Sequence, residues 1–313
     1  MDIAMINRNK DVELDGSFKL LDSGMGKTLA MKGVKVPSTI WSAAALLDAP
    51  HEVFKVHEEN IESGADIITT NSYGIILSDL EKEGLEDRFD ELNLLAGELA
   101  QKASEASERK ILIAGSLPPQ NGSYRPDRVL DETILIPLYR RQMKLLEPWV
   151  DFFLFETMSS IDEAQAALKA AHPFDFPVMI GLTLHDRKPN RLRSGESLKD
   201  CIERLRSFSP LGILASCCLP ERITDAMVSL VGSGAPYVGG LGNAFSSVPE
   251  DWLLDGSKST DGSLQIRDDV TPSFYADVAV SWINQGANIV GGCCGTTAQH
   301  IDSISRRLAG AGS

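Results

Sequence analysis

Four of the five cysteines in this chain stand in two adjacent pairs, Cys217-Cys218 and Cys293-Cys294. An odd number of clustered cysteines in 313 residues is not a disulfide framework, and it favours a reducing compartment. Two thiolates from the second pair and one from the first make three ligands, the number that holds zinc and leaves a fourth position for a substrate. The pattern therefore predicts a zinc site, with buried thiols that act as small apolar side chains as the alternative.

Glycines surround the second pair and bear on how it can bind one ion. Neighbouring residues of an extended strand point to opposite faces, so this pair can share an ion only where the backbone leaves strand geometry. Gly291, Gly292 and Gly295 supply that freedom because glycine tolerates positive φ. Cys201 stands alone in a helical pattern, which indicates a packing role. The residues alone do not indicate whether Cys217 or Cys218 is the ligand from the first pair.

Short apolar runs alternate with helical patterns along the whole chain. The predicted strands are Phe18–Asp22, Asp66–Thr70, Ile111–Ala114, Phe152–Phe155, Val178–Leu182, Ile213–Ser216, Pro236–Val238 and Asn288–Val290. The predicted helices are 50–63, 90–108, 133–148, 160–171, 196–206, 221–231, 272–285 and 297–308. Ser160 and Glu163 have the spacing of a capping box at one of these helices.

Eight strands that alternate with helices predict an α/β fold, a single-domain (β/α)8 TIM barrel, with a doubly wound open sheet as the alternative. The glycine-rich dinucleotide motif that an open sheet of that kind would carry does not follow the first strand. We expect one barrel domain over residues 1–313, with an N-terminal extension over 1–16 and a flexible loop over 255–263.

Polar residues follow nearly every predicted strand, at the end where barrels carry their active sites. These residues are Asp22, Asn71-Ser72-Tyr73, Ser116, Glu156-Thr157, Ser216-Cys217-Cys218, Gly242-Asn243 and Cys293-Cys294. The fold therefore predicts that both cysteine pairs, distant in sequence, reach one face of the barrel.

Composition excludes several classes of protein. Hydrophobic residues make up 43% and charged residues 24%, as in ordinary globular proteins. The formal net charge of -14 opposes binding to nucleic acid and to anionic membranes.

No apolar run approaches the roughly 18 residues of a membrane span, and the first residues lack a signal-peptide core. We expect a cytoplasmic protein whose partners are small-molecule substrates, and the sequence carries no signal of oligomeric state.

Several segments between about residues 18 and 308 occur in an order that is typical of one family. They are LLDSGMGKTLAMKG, WSAAALL, GADIITTNSYG, IAGSLPP, DFFLFETMSSIDEAQAAL, RLRSGESL, SCCLP and GANIVGGCCGTTAQHI. Together they resemble the homocysteine S-methyltransferase family. The resemblance implies a zinc-dependent (β/α)8 barrel that moves a methyl group onto the sulfur of homocysteine and gives methionine.

The resemblance also implies roles for individual residues. Cys217, Cys293 and Cys294 match the three zinc ligands and are assigned to catalysis through a zinc-bound substrate thiolate. Cys218 is the second choice for the first ligand, because Ser216 stands where the family has Asn. The predicted substrate-binding residues are Asp22, Gly24, Met25, Asn71, Ser116, Glu156 and Asn243.

Two of these residues match the acids that would pair with the ammonium group of the amino acid, namely Asp22 and Glu156. Ordinary turn chemistry is the alternative for Asp22, and a helix-start acid is the alternative for Glu156. Tyr73, Ser116 and Asn243 are also expected to line the site, with strand-end capping as the alternative for each. The sequence therefore predicts an acidic amino-acid site beside the cysteines.

The methyl donor is the least defined part of the prediction. After the third strand the chain reads Leu117-Pro-Pro-Gln-Asn-Gly-Ser-Tyr-Arg-Pro126, whereas many members of the family continue Gly-Pro-Tyr. This loop would line the donor pocket. We favour an onium donor, S-methylmethionine. The alternatives are a betaine- or corrinoid/folate-linked methyltransferase of the same family, and a non-catalytic zinc- or redox-sensing barrel that binds thiols.

Overall fold

The computed structural model of the chain describes residues 18–37, 39–252 and 264–311. The predicted extension over 1–16 and the predicted flexible loop over 255–263 lie outside these ranges, so both stay predictions. Within the described ranges, no helix combines the length and the apolar character that crossing a bilayer requires.

Eight parallel strands form one sheet around the centre of the molecule. The strands are β1 (Lys19–Leu20), β2 (Ile67–Thr69), β3 (Leu112–Leu117), β4 (Phe152–Met158), β5 (Val178–Leu182), β6 (Gly212–Cys218), β7 (Tyr237–Gly242) and β8 (Ile289–Gly292). Their order is β1-β8-β7-β6-β5-β4-β3-β2, and a parallel bridge between Leu21 and Ile67 joins the two ends of the sheet. The molecule is a single-domain (β/α)8 barrel, which confirms the predicted fold class and excludes the open sheet.

Helices follow the strands in sequence and cover the outside of the barrel. They are α1 (Met25–Met31), α2 (Ala44–Asp48), α3 (Pro50–Glu62), α4 (Leu77–Lys82), α5 (Phe89–Ala106), α6 (Glu132–Leu146), α7 (Ile161–Ala171), α8 (Leu198–Leu205), α9 (Pro220–Val231), α10 (Pro272–Asn284) and α11 (Ala298–Ala311). All eight predicted helices are present. The short helices α1, α2 and α4 were not predicted, because two turns or fewer carry too little periodicity to stand out.

Two apolar layers explain why the strand sequences are so uniformly hydrophobic. Inside the barrel, alternate strand residues such as Phe152, Leu154 and Leu214 pack together. Their neighbours along the strands, such as Phe153 and Phe155, pack outward against the helices. Parallel strands that are buried on both faces read as continuous apolar runs, which is the pattern seen in the sequence.

The capping prediction at α7 is confirmed in its first half. Ser160 Oγ accepts a hydrogen bond from the Glu163 backbone N–H at 3.2 Å. The Glu163 carboxylate does not return to Ser160, however, and accepts instead from the N–H and Oγ of Ser159, both at 2.7 Å. The start of α7 is therefore held by a buried acid that reaches one residue further back.

Several strands run further toward their carboxyl ends than the sequence predicts. Ser116, Glu156 and Cys217 were expected after their strands, yet they lie inside β3, β4 and β6. Apolar character ends before the hydrogen-bonded ladder does, because the last residues of each strand face the mouth of the barrel, where polar side chains are tolerated. These residues are therefore held by the sheet rather than by loops.

Candidate active site

Two strands lose their regular register at the positions where site residues stand. The register shifts between Phe155 and Met158 in β4, and between Ser216 and Cys218 in β6. The shifted residues have left-handed backbones, with φ of 63° at Thr157 and 54° at Cys217. A bulge of this kind re-aims a side chain, and the strained backbone costs about 1–3 kcal/mol per residue. Interactions in the surrounding sheet must offset this cost.

Hydrogen bonds to side chains of other strands and loops support both bulges. The Thr157 N–H donates to Ser216 Oγ at 3.2 Å, which ties the bulge in β4 to β6. Thr183, which follows β5, donates its hydroxyl to the Cys217 carbonyl at 3.1 Å. Ser216, the residue that departs from the family's Asn, thus helps to hold the bulge in β4.

The segment after β8 leaves strand geometry, as the two adjacent cysteines require. Of the three glycines expected to permit this, only Gly295 uses a positive φ, of 83°. Gly291 and Gly292 lie within β8 and serve close packing instead. A Cβ atom on Gly292 would stand 2.1 Å from Thr296 Oγ1, and one on Gly291 would stand 2.7 Å from the Leu21 carbonyl oxygen.

The sulfurs of Cys217, Cys293 and Cys294 all lie within 4.8 Å of one another. Cys217 Sγ is 3.8 Å from Cys294 Sγ, while Cys217 and Cys293 are joined as a disulfide with a Cα–Cα distance of 5.6 Å. Four ligands at the usual zinc–sulfur distance of about 2.3 Å form a tetrahedron with sulfur–sulfur edges of about 3.8 Å. Once Cys217 and Cys293 are reduced, the three sulfurs therefore fit one ion.

The other two cysteines lie apart from this cluster. Cys218 follows the bulge in β6, so its buried side chain points away from the mouth and joins the apolar layer between the strands and the helices. Cys201 is buried on α8 in the same layer. The bulge thus separates two adjacent cysteines that the sequence leaves equivalent.

Two carboxylates, the buried Asp22 and the half-buried Glu156, face the same pocket as the cysteines. Asp22 accepts hydrogen bonds from the Thr69 N–H at 2.7 Å and from the Thr69 hydroxyl at 3.2 Å. Glu156 accepts a hydrogen bond from the Ser116 hydroxyl. Burial raises the pKa of Glu156 to about 7, and burial together with the nearby Glu156 raises the pKa of Asp22 well above its usual range. Such a pair favours a bound cation, which would lower both pKa values.

The pocket at the mouth of the barrel is partly open to solvent. Its walls contain nine of the ten predicted site residues, namely Asp22, Gly24, Met25, Asn71, Ser116, Glu156, Cys217, Cys293 and Cys294. Five aromatic residues also line it, namely Trp41, Tyr73, Tyr124, Phe245 and Trp252. The pocket therefore combines thiols, acids and aromatic faces.

Asn243, the tenth predicted residue, is not among the residues that line the pocket. Its Nδ2 donates a hydrogen bond to the Tyr124 hydroxyl at 3.3 Å, and Tyr124 itself lines the pocket. Asn243 follows β7 directly, and its backbone N–H binds the Cys218 carbonyl at 2.9 Å. It therefore stands behind the wall and holds a wall residue, rather than facing a substrate.

Sequence reasoning missed Trp41 and assigned no role to Tyr124. Both have left-handed backbones, with φ of 46° and 63°. Trp41 lies so close to Gly26 that a Cβ atom there would stand 2.2 Å from the indole Nε1. Tyr124 belongs to the loop after β3 that departs from the family pattern, and this departure was the available signal. Trp41 comes from a segment without regular periodicity, so nothing pointed to it except the resemblance.

Among the described residues that line the pocket, Asn71 is the one with a buried side-chain atom that has no hydrogen-bond partner. Its Nδ2 donates to the Ser42 carbonyl at 3.0 Å, which fixes the amide. Its Oδ1 is buried and has no hydrogen-bond partner. A buried acceptor without a partner costs about 1–3 kcal/mol, so this atom is suited to a donor group of a bound substrate.

Comparisons with known proteins agree with this architecture. Homocysteine S-methyltransferase 1 of Arabidopsis thaliana is 28% identical over 322 residues, which cover 94% of each chain. The selenocysteine methyltransferase of Astragalus bisulcatus is 26% identical over 94% of this chain and 93% of its own. The metallated form of the homocysteine methyltransferase MmuM from Escherichia coli superposes with a TM-score of 0.78 at 24% identity, over 94% of this chain and 98% of that one.

The structural match establishes the fold, while a family-wide comparison establishes the family. The family model described as homocysteine S-methyltransferase matches residues 19–308, which is nearly the whole chain. This range begins with β1 and ends within α11, so it contains every strand of the barrel. The chain belongs to the homocysteine S-methyltransferase family.

Proposed function

We propose that this protein transfers a methyl group from an onium donor, with S-methylmethionine favoured, to the sulfur of L-homocysteine. The observation that carries the proposal is the convergence of three cysteine sulfurs, within 4.8 Å of one another, on a pocket that also contains the carboxylates of Asp22 and Glu156. Thiols that meet an acidic amino-acid site suit a substrate that carries both a thiol and an ammonium group.

The proposed metal is zinc, held by Cys217, Cys293 and Cys294 in their reduced form. Zinc bound in this way supplies a deprotonated substrate thiol at neutral pH, where a free thiol with a pKa near 8.5 is mostly protonated. A reducing compartment such as the cytoplasm, which the cysteine usage predicts, keeps the three thiols available.

The amino-acid part of homocysteine is proposed to bind between Asp22 and Glu156. Its ammonium group would donate to the two carboxylates and to the free Oδ1 of Asn71. Thr69 and Ser116 hold the carboxylates in place from the neighbouring strands. These contacts orient the substrate so that its sulfur reaches the cysteine cluster, which is the positioning that an in-line transfer requires.

The transfer itself needs no general base at carbon. A bond forms between the homocysteine sulfur and the methyl carbon, while the bond between that carbon and the donor sulfur breaks. The electron pair of the broken bond stays on the donor sulfur, which leaves as a neutral thioether, and the thiol proton is released to solvent. With S-methylmethionine, both products are methionine. Aromatic faces such as Trp41 and Tyr73 attract the onium charge of the donor.

A purified-enzyme assay tests the proposal. Reduced protein that has been supplied with zinc is incubated with homocysteine and, in separate reactions, S-methylmethionine, S-adenosylmethionine or betaine, and zinc is quantified in the same sample. We expect methionine from S-methylmethionine and one zinc per chain. Selenocysteine is included as a second acceptor because one relative is named for it.

Three other outcomes would overturn the proposal. Zinc well below one per chain would remove the proposed metal. Turnover with betaine alone would move the chain to the alternative donor class. Homocysteine binding without turnover on any donor would indicate a thiol-sensing protein.

A further inference from the structure

A second pocket adjoins the active site on the side away from the cysteines. It is partly open to solvent, and we call it the adjoining pocket. Trp41, Tyr73 and Ser123 line both pockets and so form the boundary between them. The Tyr73 and Ser123 hydroxyls hydrogen-bond to each other at 2.6 Å, which holds this boundary together.

The adjoining pocket differs from the active site in its charge. Its lining includes one acid and two cations, namely Asp79, Lys82 and Arg128. Asp79 and Lys82 pair at 2.7 Å along one turn of α4. Among the described residues, no carboxylate lies within ion-pair distance of the half-buried Arg128 guanidinium. The pocket therefore offers a cation of fixed charge whose hydrogen-bonding capacity is available.

Part of this pocket is built by the loop in which the chain departs from its family. Asn121, Gly122 and Ser123 belong to that loop, and Arg128 follows it. The Asn121 Nδ2 donates to the Arg128 carbonyl at 2.8 Å, which folds the end of the loop back onto its middle. The departure from the family pattern thus places Arg128 in the wall of the adjoining pocket.

The geometry of methyl transfer requires space on this side. The attacking sulfur, the methyl carbon and the leaving sulfur lie in a line, so the leaving part of the donor extends away from the cysteine cluster. No cysteine lines the adjoining pocket, which lies beyond the aromatic boundary. A donor whose reactive centre is held at Trp41 and Tyr73 can therefore extend its remaining atoms into this pocket.

We propose that the adjoining pocket binds the α-amino-acid head of a sulfonium donor and that Arg128 binds its carboxylate, an inference that rests on the proposed function. The planar guanidinium matches a carboxylate in a two-point contact. Asp79, which also pairs with Lys82, supplies the negative charge that suits the donor's ammonium group. In betaine the carboxylate carbon is two bonds from the onium nitrogen, whereas in S-methylmethionine it is four bonds from the onium sulfur.

The test compares two sulfonium donors that differ only in the presence of this head. S-methylmethionine carries it, whereas trimethylsulfonium does not. In the zinc-loaded Arg128→Gln variant we expect the KM for S-methylmethionine to rise about tenfold or more. The kcat/KM for trimethylsulfonium and the KM for homocysteine should stay within about twofold of the wild-type values, because neither involves the head.

Two further variants separate the proposed contact from a general effect of mutation. Arg128→Lys keeps the charge but loses the two-point geometry, so it should recover part of the affinity for S-methylmethionine. Arg88→Gln removes an exposed arginine that pairs with Glu91 on the surface, and it should leave all three constants unchanged. Thermal unfolding of each variant checks that the barrel is intact.

The outcomes are distinguishable from one another. An unchanged KM for S-methylmethionine in Arg128→Gln overturns the inference but leaves the proposed function standing. An equal loss with both donors assigns Arg128 to the loop fold and also overturns the inference. If wild-type protein forms no methionine from either donor, the proposed function fails, and the subsite fails with it.

Discussion

Cys217 Sγ and Cys294 Sγ lie 3.8 Å apart although 77 positions separate them in the chain. The end of β7 joins their two segments, since the Asn243 N–H binds the Cys218 carbonyl and the Cys293 N–H binds the Gly242 carbonyl. The bulge in β6 then turns Cys217 toward the mouth of the barrel. The proximity of the sulfurs is thus a property of three adjacent strands rather than of one flexible loop.

Removal of any one of the three clustered cysteines is expected to abolish both zinc retention and methyl transfer. Cys217→Ala, Cys293→Ala and Cys294→Ala each leave two sulfur ligands, too few for a stable site. Zinc per chain, measured by mass spectrometry on reduced protein, checks this directly. Cys201→Ala and Cys218→Ala are the matched controls, because both thiols are buried in the outer apolar layer. Zinc loss in Cys218→Ala with retention in Cys217→Ala would reverse the assignment.

Glu156→Gln is expected to raise the KM for homocysteine about tenfold, which corresponds to about 1.4 kcal/mol. The variant keeps the shape of the side chain but removes a negative charge from the proposed ammonium site. Steady-state kinetics at varied homocysteine and saturating donor measure the effect. Glu163→Gln is the control, because the pKa of Glu163 is likewise raised to about 7 but Glu163 lies at the start of α7, outside the pocket. Equal KM values in wild type and Glu156→Gln would refute the role.

Gly24→Ala is expected to weaken zinc binding at least tenfold without touching a ligand. A Cβ atom on Gly24 would stand 2.5 Å from the Cys293 carbonyl oxygen, so the turn that carries Cys293 and Cys294 must shift. Overpacking of this kind typically costs about 1–3 kcal/mol. Competition with a zinc chelator measures the affinity. Gly310→Ala provides the comparison, because a Cβ atom there meets no atom within 4 Å. Unaltered zinc affinity in Gly24→Ala would show that the turn tolerates the methyl group.

The ionisation of Glu163 is expected to lower the free energy of unfolding as the pH rises from about 4.5 to 7. Burial raises the pKa of Glu163 from 4.5 to about 7, so in this range the folded chain keeps a proton that the unfolded chain has lost. The contribution of Glu163 to the free energy of unfolding therefore decreases as the pH rises, by at most about 3 kcal/mol. Above about pH 7 this contribution stays constant.

Urea unfolding at pH 5 and pH 8 checks this expectation. The Glu163→Gln variant cannot ionise at this position, so its stability should fall less between the two pH values than that of the wild type. The Oε of glutamine can still accept from the Ser159 N–H, which preserves one of the two capping contacts. Equal decreases in both proteins would show that Glu163 does not carry the pH dependence.

Much of the fold was predictable because it depends on local patterns. The apolar runs of the buried strands and the periodicity of helices such as α3 and α10 are properties of short segments, and their alternation predicts a barrel. The glycines around Cys293 and Cys294, together with the first cysteine pair, predict where metal chemistry would be found. The family resemblance extended these patterns to Asp22 and Glu156, which line the same pocket.

What the sequence by itself determined is therefore the barrel, the end of it that carries chemistry, and the residue types available there. The tertiary structure decided which side chains meet. Cys217 rather than Cys218 joins the cluster because a register shift in β6 changes the direction of one residue. Asn243 stands behind Tyr124, and Arg128 lines the adjoining pocket, because loops distant in sequence pack together. Side-chain direction depends on register and on long-range packing, and neither leaves a mark in the local pattern.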